Sequence, residues 1–294
     1  MDTAPVNLSP AQPPTPQSSD SNQTKSIDWV KLALIWGVTA YLLLVLVIPL
    51  LNVIYQALAG GFTGFVEALQ ESDFQKAAIL TLVIAIIVVP LNTVFGLCAA
   101  WALTRRKFPG RAFLLSVIDL PFSVPSVVAG LMLVLLYGRV GWFGPFLEEH
   151  NIKIVFAVPG MVLASAFVTM PFVVREVLPV LEDLGKDQEE AARTLGANEW
   201  QIFWRVTLPS IRWSVMYGVI LTNARTMGEF GAVAVVSGSI AGKTQTLPLY
   251  VEEAYKQYQT QASYTAALVL ACLALVTLVL KTILEQRTAQ TDED

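Results

Sequence analysis

Glu190-Ala-Ala-Arg-Thr-Leu-Gly-Ala-Asn-Glu-Trp-Gln-Ile-Phe-Trp-Arg-Val-Thr-Leu-Pro209 is a polar interlude between two long apolar segments. Its residue types predict a helix, a tight turn and a second helix. Asp187 is placed to cap the first helix, Glu190 three residues on completes a capping-box-like pair, and Gly196 suits the left-handed residue that closes a helix. Asn198 then caps the second helix, with Gln201 at its third position, and Pro209 lies just before the next apolar segment. Each helix has about two turns, too few to be stable alone in water, so packing must hold it. Ala191, Ala192 and Leu195 give the first helix a small, close-approach face, while Trp200, Phe203, Trp204 and Val206 give the second a bulky one. A short helix with a small-residue face can enter a groove on another protein. The competing reading is an amphipathic loop anchored on lipid headgroups or on its own bundle, and Trp200 and Trp204 suit a membrane interface.

The chain around this loop is solvated mainly by lipid: of 294 residues 54% are hydrophobic and 14% charged, with a mean hydropathy of +0.58. It is an integral membrane protein. The net charge of −4 is small and the basic residues form no face that could follow a phosphate backbone, which excludes nucleic acid as a partner. Cys98 and Cys272 lie in apolar segments, where a thiol serves as a small buried hydrophobe, and no metal spacing or disulfide framework is present. His150 is the only histidine, so a His-pair metal site is excluded and a His-based triad has no support. No catalytic residue, metal or bound cofactor is expected of this chain.

Residues 1–27 are rich in Pro, Ser, Thr, Gln and Asn and read as a disordered tail. A membrane domain follows over 28–286, with its polar loop at about 182–209, and 287–294 form a short second tail. Six apolar stretches are long enough to cross about 30 Å of hydrocarbon: 32–58, 77–103, 112–137, 154–179, 211–236 and 262–284. Pro121 and Pro125 interrupt the third and Pro159 and Pro171 the fourth, where they should kink or break the helix.

Orientation follows from the basic residues. Lys25, Lys31, Arg105, Arg106, Lys107, Arg111, Arg175, Lys186, Arg193, Arg205, Arg212, Lys281 and Arg287 fall on one side. Lys76, Arg139, Lys153, Lys243 and Lys256 fall on the other, and Arg225 lies inside a span. The positive-inside rule therefore places both termini and the Glu190 loop in the cytoplasm. Asp119 in the third span and Arg225 and Glu229 in the fifth are ionisable groups at membrane depth, where charge is costly and faces the bundle interior. Arg225 and Glu229 are four apart on one helical face, either an internal ion pair or the lining of an anion path. Asp119, which would repel an anion, reads as a cap or ion-pair partner.

The spacing Glu190-Ala191-Ala192, three residues, Gly196, nine residues, Val206, one residue, Leu208-Pro209 resembles the docking loop of ABC-transporter permeases. Asp119-Leu-Pro-Phe-Ser-Val-Pro-Ser-Val-Val-Ala-Gly130, Gly141-Trp-Phe-Gly-Pro145 and Asn223-Ala-Arg-Thr-Met-Gly-Glu-Phe-Gly-Ala232 are similar to the sulfate and molybdate branch. Ile154-Val-Phe-Ala-Val-Pro-Gly160 and Val168-Thr-Met-Pro-Phe-Val-Val-Arg-Glu-Val-Leu-Pro179 resemble the W-type sulfate/thiosulfate subunit. The resemblance implies an all-α membrane protein of six transmembrane helices, the type I ABC importer permease fold, with a cytoplasmic coupling helix. It implies Glu190, Ala191, Ala192, Leu195 and Gly196 at the contact with an ATPase. The partners it implies are two copies of that ATPase, a second, T-type permease and a sulfate-binding protein on the outer side of a bacterial plasma membrane. The chain has no Gly-x-x-x-x-Gly-Lys-Ser/Thr phosphate loop, so ATP is hydrolysed by the partner. The rival readings are a molybdate or tungstate permease, which would form a homodimer, and an ion-coupled carrier in which Asp119 or Glu229 takes up protons.

Overall fold

A computed structural model describes residues 29–106 and 108–291; the 1–27 tail and residues 292–294 lie outside the described residues. The chain divides into two compact units, one up to Pro49 and one from Leu50 onward. In the first lie helix α1 (Trp29–Leu42), a π-helical turn, Leu43–Val47, and the start of α2 (Ile48–Leu58), whose remainder belongs to the second; by length and hydropathy Lys31–Leu58 can cross a membrane. Pro49 explains the wide turn: proline lacks an N–H and its ring crowds the carbonyl four residues back, so the ladder opens to the next register.

The second unit continues with α3 (Gly61–Gln70), α4 (Ser72–Arg105), α5 (Arg111–Ser123), α6 (Ser126–Tyr137), α7 (Gly144–Glu149) and α8 (Val158–Asp183). The polar loop forms α9 (Asp187–Thr194) and α10 (Glu199–Ile202), followed by a second π-turn, Phe203–Thr207. Then come α11 (Leu208–Met227), α12 (Gly231–Ser237), α13 (Leu247–Lys256) and α14 (Thr260–Thr291).

The six expected spans are mostly helical, the fourth starting at Val158 and not at 154, and four helices among the described residues have the length and hydropathy of a membrane crossing: Lys31–Leu58, Ser72–Arg105, Val158–Asp183 and Thr260–Leu280. The expected third span is bent by 110° between α5 and α6, and counts as a fifth crossing if the pair is taken as one. The break lies at Val124-Pro125, while Pro121 sits inside α5. The expected fifth span divides into α11 and α12 at Gly228–Phe230, and Arg212, Asn223 and Arg225 dilute its hydropathy. Its second half is a separate short helix because Glu229 leaves the α11 ladder to bond the Ala232 amide. The expected short tail at 287–294 is helical as far as Thr291, the end of α14.

The core lies where α8 packs against α4 and α11. Ala77, Thr81, Ile84, Val88, Asn92, Gly96, Ala100 and Leu103 recur every three or four residues and form one buried stripe on α4. The opposite face stays apolar, with Ile79, Leu82, Ile86 and Val94 exposed, as hydrocarbon requires. Cys98 and Cys272 are on exposed faces, contrary to the expectation of burial; membrane helices carry apolar residues outward as well as inward. Gly96 and Gly218 let α4 and α11 approach Val173 closely, since a Cβ on Gly96 would stand 2.5 Å from the Val173 Cβ and one on Gly218 would stand 3.0 Å from its Cα. Asn92 Nδ2 then bridges to α8, donating to the Ala166 carbonyl at 2.9 Å and to Thr169 Oγ1 at 2.8 Å.

Gly96→Ala should destabilise the bundle by about 1–3 kcal/mol through overpacking, read as a lowered thermal midpoint in detergent. An unchanged midpoint would show that α4 and α8 do not need that contact.

Candidate functional site

The polar loop is built by local chemistry on a buried anchor. Gly196, at φ +83, closes α9 in a Schellman pattern: the Ala197 amide bonds the Ala192 carbonyl at 3.1 Å and the Gly196 amide bonds that of Arg193 at 3.0 Å. Asn198 Oδ1 accepts from the Gln201 amide at 2.8 Å, and Gln201 Oε1 accepts from the Asn198 amide at 3.0 Å, so the expected capping box is present. The Arg193 guanidinium pairs with Glu199 at 2.6 Å and ties the two sides of the turn. The expected cap at Asp187 is not formed: Lys186 is the cap residue and Asp187 is already in the first turn, where its charge still suits the helix dipole. The second helix is not a separate two-turn piece either. It runs through the π-turn into α11 with Pro209 in the first turn of that helix, a repeat of the arrangement at Pro49.

What holds the loop is Glu189, one residue before the position that the spacing singled out. Its side chain is 11% exposed and its Oε1 accepts from Arg105 Nη2 and from Thr207 Oγ1, each at 2.8 Å. Arg105 Nη1 also donates to the Leu181 carbonyl at 3.1 Å, and Lys186 Nζ donates to the Arg105 carbonyl at 3.1 Å. Arg111 pairs with Glu182 and donates through Nε to the Leu103 carbonyl at 3.0 Å. The C-termini of α4 and α8, the N-terminus of α5 and the loop thus meet at one end of the bundle, the end richest in Arg and Lys. Glu189 carried no local signal, because its partners Arg105 and Thr207 lie 84 and 18 residues away in the chain.

The same anchor turns the other face outward. Glu190, Ala191, Leu195 and Gly196 are exposed and Ala192 is half-buried. Leu195 is 88% exposed and Trp200 70%, while Trp200 stacks on Phe203 at 6.4 Å between ring centroids and Trp204 meets both rings edge-on at 5.6 Å. Leu195 and the three rings form an exposed apolar tip at a charged end of the bundle.

Asp119 and Glu229, the carboxylates singled out in the third and fifth expected spans, both have partners. Glu229 is buried, with Oε2 at 2.7 Å from Arg225 Nη1 and Oε1 accepting from the Ala232 amide at 3.0 Å. Asp119 accepts from Arg175 Nε at 2.9 Å, and the guanidinium lies 4.5 Å above the Phe122 ring. Arg175 therefore lies beside Asp119 within α8 and not on a positive flank beyond that helix. Among the described residues no three His, Cys, Asp or Glu side chains gather where they could hold a metal ion.

A family model described as "Binding-protein-dependent transport system inner membrane component" matches residues 93–290. The sulfate transport system permease protein CysW of Synechocystis sp. is 64% identical over 259 residues, covering 88% of this chain and 94% of that one. The CysT permease of the same organism is 35% identical over 273 residues, covering 92% and 96%. A solved bacterial ABC transporter involved in alginate import has a TM-score of 0.73 at 18% identity over 90% of this chain and 96% of that one, a likeness of fold.

Glu189→Ala should cost about 3–5 kcal/mol, because Arg105 is left buried and unpaired, whereas Glu190→Ala should stay within about 0.5 kcal/mol. Thermal unfolding and limited proteolysis within 182–209 would read the contrast, and equal effects of the two would refute the anchoring role.

Proposed function

This chain belongs to the family of inner membrane components of binding-protein-dependent transport systems, and we propose that it is the W-type permease subunit of an ATP-driven importer of sulfate and thiosulfate. The far higher identity to a W-type than to a T-type sulfate permease supports the subunit type. The exposed Leu195 and Trp200 on a loop anchored from within carry the coupling role: apolar side chains in water at the basic end of a membrane bundle need a partner surface.

In this reading Glu190, Ala191, Ala192, Leu195 and Gly196 meet a separate ATPase subunit, present in two copies, which supplies all ATP hydrolysis. This chain binds no cofactor of its own. A second, T-type permease completes the membrane pair, and a sulfate-binding protein delivers the anion from outside. Both termini and the loop lie in the cytoplasm of a bacterial inner membrane, in line with the basic residues gathered around Arg105, Arg111 and Lys186. A proton-coupled carrier is disfavoured because Asp119 and Glu229, the carboxylates it would use, are held by Arg175 and Arg225.

Deleting the gene should abolish ATP-dependent uptake of sulfate and thiosulfate while leaving molybdate uptake intact, and the purified chain should bring down a second, different permease. Loss of molybdate uptake with a homodimeric permease would overturn the sulfate assignment. Gly196→Val tests the coupling loop: a Cβ there meets nothing within 4 Å, so the cost is the positive φ alone, about 1–2 kcal/mol. The variant should insert normally and lose co-purification with the ATPase; normal assembly and transport would count against the assignment.

A further inference from the structure

A cavity of about 210 Å³ lies at the elbow between α5 and α6, where these helices meet α8 and α11. Pro121, Phe122, Ser126, Val168, Phe172 and Arg225 are among the residues that line it, and among the described residues Arg225 is its one charged side chain. The ion pair behind it is asymmetric. The Glu229 side chain is wholly buried and both its oxygens are engaged, one by the Ala232 amide and the other by Arg225 Nη1. The Arg225 side chain is 38% exposed, so the positive end of the pair faces the cavity and the negative end faces protein. Its one ion-pair contact is through Nη1, which leaves the donors on Nε and Nη2 for a ligand.

Ser126 adds a hydroxyl and, as the first residue of α6, an amide without an intrahelical acceptor. It is held in place because Gly231 has no Cβ, which would stand 2.2 Å from Ser126 Oγ. Across the cavity wall, Arg175 lies over Phe122 with its charge met by Asp119. The chamber therefore offers a guanidinium edge and a hydroxyl within aromatic and aliphatic walls, and no acceptor-bearing charge. That chemistry selects a small tetrahedral oxyanion, which a guanidinium fork matches geometrically, over a cation or an apolar molecule.

We propose that this cavity is the station within the permease at which the transported oxyanion is held between the outer and the cytoplasmic openings, with Arg225 and Ser126 as its donors. The inference rests on the reading of the chain as a sulfate permease and adds the place where the anion binds. It also gives Glu229 a defined part as a positioning residue, which fixes the guanidinium from behind and does not touch the anion.

The test uses the full complex of both permeases, ATPase and binding protein in proteoliposomes, with labelled sulfate as the probe. The double variant Arg225→Met with Glu229→Gln removes both charges without leaving either one buried alone. Ser126→Asp places a carboxylate in the cavity at a helix start, where its charge favours the helix. Both variants should assemble with their partners, and sulfate imported per ATP hydrolysed should fall about ten-fold or more, the loss of one or more charge-assisted bonds to the anion. If Arg225 served only to neutralise Glu229, the double variant would transport normally; that result, or normal transport by Ser126→Asp, overturns the proposal. Should the double variant fail to assemble, Ser126→Asp decides alone. A wild-type complex that imports no sulfate removes the functional reading, and this inference with it, whereas normal import by the wild type and by Ser126→Asp removes the inference only.

Discussion

A carboxylate taken out of water must be met in place, and the Glu189 side chain is met by an arginine from α4 and a threonine from the π-turn before α11. Everything else about the polar loop follows from that constraint. With Glu189 turned inward, helical geometry turns Glu190, Ala191 and Leu195 outward. With Thr207 bound to the same oxygen as Arg105, the start of α11 is fixed to the end of α4. Arg105 also reaches Leu181, so the end of α8 belongs to the same junction. Four separate stretches of chain share one buried polar centre, and an eight-residue helix too short to persist in water is held in shape.

The features legible in the sequence are those decided by neighbours along the chain. Gly196 was readable because only a residue tolerant of positive φ closes a helix in that way, and Asn198 with Gln201 because a capping box spans three residues. The Arg225 and Glu229 pair was readable at a separation of four. Pro125 announced its break and Pro209 its position at a helix start. Asp187 was misplaced by one residue because an acidic side chain suits both a cap and a first turn.

What was not legible joins residues far apart. Glu189 meets Arg105 across 84 positions and Asp119 meets Arg175 across 56, and no local pattern sets either choice. Arg175 looked like part of a positive flank because its sequence neighbourhood ends a span; only the packing of α5 against α8 shows it at the level of Asp119. The division of α11 from α12 was hidden for a related reason. Glu229 completes an i, i+4 ion pair as a continuous helix would, yet uses its second oxygen to start the next helix.

The π-turn at Phe203–Thr207 leaves no slack between the exposed Trp200 tip and α11. Because α10 passes through that turn into α11 without an intervening loop, a push on Trp200 is delivered to a stiff lever whose twenty helical residues span about 30 Å. Arg225 stands near the far end of it. At that length each degree of tilt moves the far end by roughly 0.5 Å, so a few degrees of rocking at the loop end would shift a guanidinium by more than half the length of a hydrogen bond.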